Sequence, residues 1–494
     1  MNLSSSKASG MSRDSELSRR ELAVVGALLG VQAFLLWLKI DAPFTEPAAY
    51  GRSCVNATIA RNFFEQGMRF LYPQLDYGPL PGYAALEFPL IPYLAAMVYA
   101  VTGVHEWVGR AIPAVFGLGT SLVMWKIASE DTRSDVARIA AVLMVVLSPT
   151  FTFFSRVFQS DSAMIFFSAL TLLLLLRAQR THASGSFIAA CVSCAVAMLL
   201  KPSSLVLMPA FASVLVFRGT PNLRRVVVLG VSTLVPVAAF YLFARAVNTY
   251  PETVGIDAVV ARATFARMLQ FNYDLQIAKD IFQSATPLGI VMMAVGLWFA
   301  VRRLETWYMP LWAAGAIVLD LVFNEALSHH EYYQIIWVPL AAMCAAQVFD
   351  AVAQGSAFRG ALRTIAVAAA VVLLAGSAAL TWRFLALRFQ FPPASVARVT
   401  VARFVEAQTP PDALVGVEDI DLLYYAHRRG WPYGTDTAEP ISKAQITTAQ
   451  DKGIAFLAVQ DESRLSAEAR RYLDESGVMV ARADSHAIWR LNGK

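Results

Sequence analysis

The sequence predicts a polytopic all-α membrane protein, with about eleven transmembrane helices plus an interfacial outer segment, and a small C-terminal α/β extracytoplasmic domain. Of its 494 residues, 57% are hydrophobic and only 16% are charged, whereas a soluble protein is about half apolar and a quarter charged. Apolar runs of about 20 residues, which cross a bilayer as a helix, recur along most of the chain. The 27 Gly, 23 Pro and 4 Cys exclude collagen, disordered and disulfide-scaffold classes, and a net charge of +5 does not indicate nucleic acid as a partner.

The predicted spans are the apolar runs that approach this length. The first follows a polar arm and is too long for a signal peptide, so we expect a retained anchor. Residues 88–104 form a shorter run that Pro89 and Pro92 weaken, so we expect an interfacial helix there. The runs at 186–200 and 203–217 are either two half-length spans or one broken pair. The spans are 22–40, 107–127, 138–154, 162–177, 186–200, 203–217, 226–247, 287–301, 307–324, 334–350 and 361–383.

The distribution of positive charge predicts the orientation in the plasma (inner) membrane. With eleven spans and a cytoplasmic N-terminus, each inner loop is basic, as the positive-inside rule requires; a twelfth span at 88–104 breaks this pattern. The inner cations are Lys126, Arg133, Arg138, Arg177, Arg180, Arg218, Arg224, Arg225, Arg302, Arg303, Arg359 and Arg363. The outer segments are then 41–106, 155–161, 201–202, 248–286, 325–333 and 384–494. Polar groups at these helix ends should therefore share one face of the membrane.

The chain is predicted to divide into a cytoplasmic arm (1–20), a transmembrane domain (21–383) with a first outer loop (41–106), and an extracytoplasmic domain (384–494). In the last part, 395–408 predicts an amphipathic helix that ends before Pro410-Pro411. Short apolar runs predict strands, and the stretches between them predict helices. The strands are 413–417, 454–459, 478–483 and 486–492, and the helices are near 419–427 and 464–474.

Two carboxylates lie where the membrane makes a charge costly and therefore usually functional. Asp161 lies where one span ends outside and the next begins, so it is either a helix cap alone or a chemically active group. Glu87 enters an apolar, proline-containing segment. It is either exposed to lipid headgroups or faces a polar site.

Several cations and hydrogen-bond donors lie at the same predicted face. Lys201 either snorkels to the interface or contacts a lipid phosphate, and Arg156 either pairs with Asp161 or binds an anion. His329 and His330 are adjacent and so point in different directions on a helix, which argues against a metal bound by both. We expect one of them to donate a hydrogen bond to an anion. The first outer loop adds Arg52, Arg61 and Arg69 as cations and Glu46, Glu65 and Asp76 as carboxylates.

In this order, the residues resemble the lipid-dependent C-class (GT-C) glycosyltransferases, most of all bacterial relatives of protein O-mannosyltransferases and of the lipid A aminoarabinose transferase. The matching motifs are IARNF (59–63), EFPL (87–90), SR and DS in the turn 155–162, Lys201-Pro202 and HEYY (330–333). The resemblance implies an enzyme that moves a sugar from a polyprenyl-phosphate donor to an acceptor glycan, lipid or protein outside the membrane.

The resemblance also implies two acids, one in the first outer loop, usually proposed as the base, and one in the next outer loop. Asp161 matches the second. Just before IARNF, where relatives commonly show Asp, this chain has the sequence RSCVN (52–56). Glu46 is the nearest acid upstream, and Glu87 matches a family carboxylate further on. The catalytic candidates are therefore Asp161, Glu46 and Glu87, with Glu46 or Asp161 as the base.

A polyprenyl phosphate is already a good leaving group, so the reaction needs a carboxylate that takes the acceptor's proton and cations that hold the phosphate. Direct displacement inverts the anomeric centre. A divalent cation is compatible with this chemistry, although the sequence does not require one. The candidate phosphate ligands are Arg52, Arg61, Arg156, Lys201, His329, His330 and Tyr333.

Two other functions remain open from the sequence. A transporter or flippase for a lipid-linked sugar predicts charged residues within the spans, and Asp320 is one. A non-catalytic membrane scaffold that presents the C-terminal domain to a partner is favoured by the missing first-loop Asp.

Overall fold

The structure, a computed structural model, describes residues 18–46, 49–249, 271–355, 360–391, 393–433 and 440–491. Within these ranges, seven helices are long and apolar enough to cross a membrane, and four apolar stretches are shorter. The seven are Arg19–Trp37, Glu106–Asp131, Asp161–Thr181, Leu223–Val247, Asn272–Ala300, Glu331–Ala353 and Thr364–Arg388. The four are Leu90–Thr102, Ser184–Leu200, Pro202–Phe217 and Tyr308–Val322. A mainly helical membrane protein with a small sheet is confirmed, whereas the number of eleven spans stays a prediction.

Several helices begin after a residue whose side chain satisfies a free backbone N–H group. Ser18, Ser134 and Asn222 each accept a hydrogen bond from the backbone N–H three residues later. The helices are α1 (Arg19–Trp37), α2 (Tyr50–Gln66), α3 (Leu90–Thr102), α4 (Glu106–Asp131), α5 (Asp135–Leu147), α6 (Pro149–Phe154), α7 (Asp161–Thr181), α8 (Ser184–Leu200), α9 (Met208–Phe217), α10 (Leu223–Val247), α11 (Phe271–Ala300), α12 (Tyr308–Val322), α13 (Asn324–Ser328), α14 (Trp337–Ala353) and α15 (Ala361–Arg388).

A cap divides one predicted span, and a break before a proline marks the start of another. Ser148 divides the predicted span 138–154 into α5 and α6, because its side chain caps Phe151 N–H and Pro149 begins the next helix. Helix α11 breaks at Thr286, whose φ is 65°, immediately before Pro287. The span predicted at 287–301 begins at that break.

The basic residues predicted at the inner ends meet at one end of the helical bundle. Arg138 pairs with Glu21 at the start of α1, with 2.6 Å between Nε and Oε1. At the end of α4, Glu130 pairs with Arg177 at 3.2 Å, and Asp131 pairs with Arg218 at 2.5 Å. Arg359 and the Arg363 side chain lie outside the described residues.

The interfacial segment is a separate short helix at the opposite end of the bundle. Helix α3 has 13 residues, which at about 1.5 Å each is too short to span a bilayer. Tyr93 packs edge-on against Phe63 of α2 at a centroid distance of 5.4 Å, whereas Val101 is 88% exposed. One face of α3 is thus buried on the first outer loop and the other is free to contact lipid.

The C-terminal region folds into a five-stranded mixed sheet in the order β2-β1-β3-β5-β4. Strand β1 pairs in parallel with β2 and β3, while β5 pairs antiparallel with β3 and β4. The four predicted strands are present, whereas β2 and helix α18 were not predicted. The division of the chain at residue 384 stays a prediction. The elements are α16 (Pro393–Gln408), β1 (Leu414–Val417), α17 (Ile420–Ala426), β2 (Arg429–Pro432), α18 (Lys443–Asp451), β3 (Phe456–Val459), α19 (Ala467–Ser476), β4 (Gly477–Ala483) and β5 (His486–Leu491).

The first outer loop continues this sheet beyond β2. Gly430 N–H donates to Asp76 O at 2.9 Å, and Gly78 N–H donates to Gly430 O at 2.9 Å. The rings of Tyr77 and Trp431 stack at a centroid distance of 6.0 Å. These contacts pair the edge of the sheet with the loop, as an added strand would. The C-terminal sheet and the first outer loop therefore lie at the same end of the protein.

Candidate functional site

Four ionisable side chains meet at the end of the bundle where the first outer loop lies. The Lys201 Nζ lies 3.1 Å from Glu87 Oε1 and 3.1 Å from Asp161 Oδ2. The Arg52 Nη1 lies 3.5 Å from the same Glu87 oxygen. We call Arg52, Glu87, Asp161 and Lys201 the charge cluster. Two cations and two carboxylates balance one another there.

Each member of the charge cluster is at or near a helix end, which fixes its position. Asp161 begins α7, and its neighbour Ser162 donates a hydrogen bond to Pro113 O at 3.0 Å. Lys201 follows the last residue of α8 and precedes the turn that begins at Pro202. The Asp161 carboxylate contacts the Lys201 ammonium. Whether Asp161 is a helix cap alone or a chemically active group stays a prediction.

The segment that carries Glu87 is fixed by the end of α10. Ala85 N–H donates to Asn248 Oδ1 at 2.7 Å, and Tyr83 N–H donates to Thr249 Oγ1 at 2.9 Å. Phe88 packs edge-on against Phe240 at a centroid distance of 5.1 Å. Glu87 is consequently held between two anchored neighbours.

Two tyrosines cover the cations of the charge cluster. The Lys201 Nζ lies 5.0 Å from the Tyr332 ring centroid and 5.2 Å from that of Tyr333. The Arg52 guanidinium lies 5.9 Å from the Tyr332 ring. Aromatic faces stabilise cations electrostatically, most strongly where water is excluded. Tyr333 was predicted at the site from the sequence, and Tyr332 was not.

The two carboxylates of the charge cluster differ in their exposure to solvent. Asp161 is fully buried, whereas the Glu87 side chain is 22% exposed. Glu87 lines a small pocket together with Arg52, Asn56, Phe88, Pro89 and Ser160. A molecule that enters this pocket can therefore reach Glu87 and Arg52.

The charge cluster keeps Glu87 and Lys201 charged. Burial alone raises the pKa of the Glu87 carboxyl, but Lys201 and Arg52 outweigh it and hold that pKa below its ordinary value. Burial alone lowers the pKa of the Lys201 ammonium, but Asp161 and Glu87 outweigh it and hold that pKa well above its ordinary value. Near neutral pH the site therefore presents a charged Glu87 carboxylate beside a charged Lys201 ammonium.

His330 lies beside the same cations, with its ring stacked on Tyr332 at a centroid distance of 5.3 Å. Burial of part of its ring, and then the charges of Arg52 and Lys201, lower the pKa of His330 to about 4. The imidazole is therefore neutral near pH 7 and can donate one hydrogen bond.

This shift predicts a pH dependence of stability. An ordinary histidine titrates near pH 6.5, so between about pH 6.5 and pH 4 the unfolded chain binds a proton that folded His330 does not. Folding should therefore weaken as the pH falls through that range, and His330→Gln should remove part of the loss. Melting temperatures of both proteins at pH 7.5 and pH 5 measure this difference. The control is His105→Gln, which replaces an exposed histidine before α4. If His330→Gln and the wild type lose stability equally between pH 7.5 and pH 5, the lowered pKa of His330 is contradicted.

Several predicted site residues are engaged elsewhere in the structure. Glu46 is 3% exposed and accepts hydrogen bonds from Arg110, at 2.8 Å from its Nε. Arg61 pairs with Asp76 and donates to Tyr424 O at 2.7 Å. These contacts belong to the packing of the first outer loop and do not join Glu46 or Arg61 to the charge cluster, so the site roles expected for these two residues stay predictions.

Arg156 and His329 also lie apart from the charge cluster. Arg156 donates to the backbone carbonyls of Leu38 and Lys39, and its guanidinium lies 4.6 Å from the Phe389 ring centroid. His329 is exposed and lies 3.2 Å from Ser328 Oγ through its Nδ1. Of the two adjacent histidines, the structure brings His330 to the site.

The described residues offer two further observations on function. Asp320, which favours a transporter, accepts hydrogen bonds from Gln334 at 3.0 Å and Trp337 at 3.1 Å, so it joins α12 to α14 and the turn before it. Among the described residues, no group of three or more His, Cys, Asp or Glu side chains is placed to hold a metal ion.

Comparison with known proteins agrees with the resemblance drawn from the motifs. Residues 86–244 match the sequence model of the family described as dolichyl-phosphate-mannose-protein mannosyltransferase. This stretch contains Glu87, Asp161 and Lys201. No curated protein sequence matches the chain.

The fold is similar to that of several solved structures. ArnT from Cupriavidus metallidurans bound to undecaprenyl phosphate has a TM-score of 0.64 and 15% identity, over 95% of this chain and 98% of that one. The oligosaccharyltransferase AglB from Archaeoglobus fulgidus, in complex with an inhibitory peptide and a dolichol-phosphate, has a TM-score of 0.60 and 13% identity. The match covers 89% of this chain and 69% of that one. The arabinofuranosyltransferase AftD from Mycobacteria has a TM-score of 0.58 and 16% identity, and the match covers 97% of this chain and 42% of that one. The predicted GT-C resemblance is confirmed, and at these identities the likeness concerns the fold.

Proposed function

We propose that this chain, with its GT-C fold, is a membrane glycosyltransferase that moves a sugar from a polyprenyl-phosphate donor to an acceptor. The observation that carries the proposal is the charge cluster, in which Lys201 lies 3.1 Å from both Glu87 and Asp161 at one end of the bundle. Undecaprenyl phosphate bound to ArnT and dolichol-phosphate bound to AglB support a lipid-phosphate donor. The acceptor is a glycan, lipid or protein on the extracytoplasmic face of the plasma membrane.

Lys201 and Arg52 are the proposed ligands of the donor phosphate. Both are cations, both lie against the Tyr332 ring, and Arg52 lines the pocket. A guanidinium suits phosphate because its planar N–H donors match the oxygens, and an ammonium adds a compact charge. His330 can donate a further hydrogen bond from its neutral ring, and Tyr333 helps to enclose the cations.

Glu87 is the proposed general base. It is the accessible carboxylate of the cluster, whereas fully buried Asp161 is placed to hold the Lys201 ammonium. In the ligand-free protein, Lys201 and Arg52 lower the pKa of Glu87, which makes it a weak base. A phosphate bound to these cations would offset their charge, raising that pKa toward the range in which a base is effective.

The proposed reaction is a direct displacement with inversion. An acceptor hydroxyl attacks the anomeric carbon and transfers its proton to Glu87, while the bond from that carbon to the phosphate oxygen breaks. The electron pair of this bond goes to the polyprenyl phosphate, whose charge Lys201 and Arg52 stabilise. Helix α3, with one face exposed, lies where the lipid tail would enter.

The proposal predicts that Arg52→Gln weakens the binding of undecaprenyl phosphate by about tenfold, because one charge-assisted contact is lost. Stability should change little, since the Arg52 side chain is 38% exposed and partly exposed ion pairs contribute about 0–1 kcal/mol. Binding is measured by titration of undecaprenyl phosphate into the detergent-solubilised protein.

Arg69→Gln is the matched control for this experiment. Arg69 belongs to the same loop and rests on the Tyr72 ring, with 4.7 Å between its guanidinium and the ring centroid. It should leave the binding of undecaprenyl phosphate unchanged. Equal affinity of Arg52→Gln and the wild type would refute the placement of the donor phosphate. The transferase proposal itself is tested by sugar transfer from a panel of polyprenyl-phosphate sugars to envelope extracts.

A further inference from the structure

A second polar cavity lies at the opposite end of the bundle from the charge cluster. It is a cleft of about 630 Å³ between the end of α4, the end of α11 and the end of α14. Its lining includes Arg133, Arg218, Arg302, Arg303, Asp131 and Asp350. The proposed transfer reaction uses none of these residues.

Three of the four acids of this cleft already have partners. Glu130 pairs with Arg177 and Arg180 at 3.2 and 3.1 Å. Asp131 pairs with Arg218 at 2.5 Å. Asp350 accepts the backbone N–H groups of residues 133 and 134, at 3.0 and 2.9 Å. Arginines therefore neutralise Glu130 and Asp131, whereas Asp350 keeps its negative charge, because the backbone N–H groups that bond to it are uncharged.

Three arginines of the same cleft are in no ion pair with a described carboxylate. Within the described part of the chain, Arg133, Arg302 and Arg303 have no carboxylate oxygen within 4.0 Å. All three are exposed, and the lining acids Asp350 and Glu305 likewise lack an ion pair among the described residues. Together with Arg177 and Arg180, the cleft region has six arginines against four carboxylates, and three of these guanidinium groups are outside any described ion pair, which favours an anion with several oxygens.

Exposed apolar residues alternate in sequence with the cleft-lining residues at the end of α11. The Arg302 guanidinium lies 3.9 Å from the centroid of the Trp298 ring, and that residue is 59% exposed. Val301 is 48% exposed and Leu304 is 57% exposed. Because α11 is a candidate span, this tryptophan, arginine and apolar sequence is typical of the level where lipid headgroups meet acyl chains. A free phosphate ion would gain nothing from these apolar groups.

We propose that this cleft binds the phosphodiester headgroup of an anionic phospholipid, with its acyl chains along the exposed side of α11. Basic pockets between transmembrane helices are the usual sites for such headgroups. The phosphate oxygens are contacted by Arg133, Arg302 and Arg303. The bound lipid joins the ends of α4, α11 and α14 and does not depend on the sugar-transfer chemistry.

The test compares two triple variants of the full chain, each lacking three arginines at the same end of the bundle. In the first, Arg133, Arg302 and Arg303 are each replaced by Gln. In the second, the matched control, Arg19, Arg20 and Arg224 are replaced by Gln; none of these lines the cleft. Each protein is placed in nanodiscs of phosphatidylcholine alone or mixed with phosphatidylglycerol. Phosphatidylglycerol retained after delipidation is counted by mass spectrometry, and melting temperatures are recorded.

Phosphatidylglycerol should raise the melting temperature of the wild type and the control. The cleft variant should bind it roughly a hundredfold more weakly, since each arginine near a headgroup contributes about fivefold. In phosphatidylcholine alone, all three proteins should melt alike, which shows that the cleft variant folds. A third variant with Lys at the same three positions should retain part of the binding. Equal losses in both Gln variants, no effect of phosphatidylglycerol on the wild type, or the same stabilisation by inorganic phosphate would each overturn the proposal.

Discussion

Replacing Glu87 by Gln should lower the rate of sugar transfer by about 10²- to 10⁴-fold, the usual contribution of a general base. Glutamine keeps the size of the side chain but cannot accept the acceptor's proton. The fold should survive, because Lys201 retains the Asp161 carboxylate at 3.1 Å as its counter-ion. Single-turnover transfer at saturating donor, together with the melting temperature, measures the two effects separately.

Asp161→Asn separates the roles of the two carboxylates. Asp161 is fully buried and contacts Lys201, so its loss should mainly weaken the hold on the donor phosphate and raise the donor KM. Glu87→Gln should instead lower kcat with a smaller change in KM. If Asp161→Asn abolishes transfer at saturating donor while Glu87→Gln transfers at nearly the normal rate, then Asp161 is the base and the assignment of Glu87 is wrong.

The meeting of Glu87, Asp161, Lys201 and His330 at one end of the bundle could be anticipated because each lies at the boundary of an apolar run. Alternating inner and outer loops place such boundaries on a common face, and the basic loops select which face. The sequence could not show which charge contacts which. That pairing depends on the rotation of α2 and on the turn at 201–202, and apolar periodicity does not specify either.

A signal for the partner of Glu46 was present in the sequence. Arg110 lies within the predicted span 107–127, and an arginine at that depth requires a carboxylate or carbonyl oxygens. In the structure it is fully buried and donates to the carbonyls of residues 40, 42 and 43 as well as to Glu46. Arg110 therefore gives Glu46 a structural explanation that the sequence analysis did not consider.

Strand β2 could not be predicted, because the segment Arg429–Pro432 contains Gly and Pro, which are unfavourable in strands. Its pairing comes from tertiary contacts on both sides. Gly430 faces Val415 in β1 and bonds to Asp76 and Gly78 of the first outer loop. A segment about 350 residues away in sequence thus completes the edge, and local propensity cannot show such a contact.

Glu46→Ala should destabilise the protein by about 3–5 kcal/mol, the usual cost of removing one partner from a buried ion pair. Arg110 is fully buried, and its Nη2 lies 2.5 Å from the Glu46 carboxylate. Without that carboxylate, a charged guanidinium remains in a site that excludes water, with only carbonyl oxygens as partners. Unfolding by denaturant in detergent measures the loss.

The variant that distinguishes structure from catalysis at Glu46 is the double replacement Glu46→Leu with Arg110→Met. Apolar residues of similar size often substitute for a buried pair at little cost, so the double variant should recover most of the stability that Glu46→Ala loses. Its folded fraction should then transfer sugar at close to the normal rate, because Glu87 and Lys201 are untouched. A double variant that is stable but slower by about a hundredfold would show that Glu46 takes part in the chemistry. The missing first-loop Asp would then have its substitute upstream, and Arg110 would be the residue that orients it.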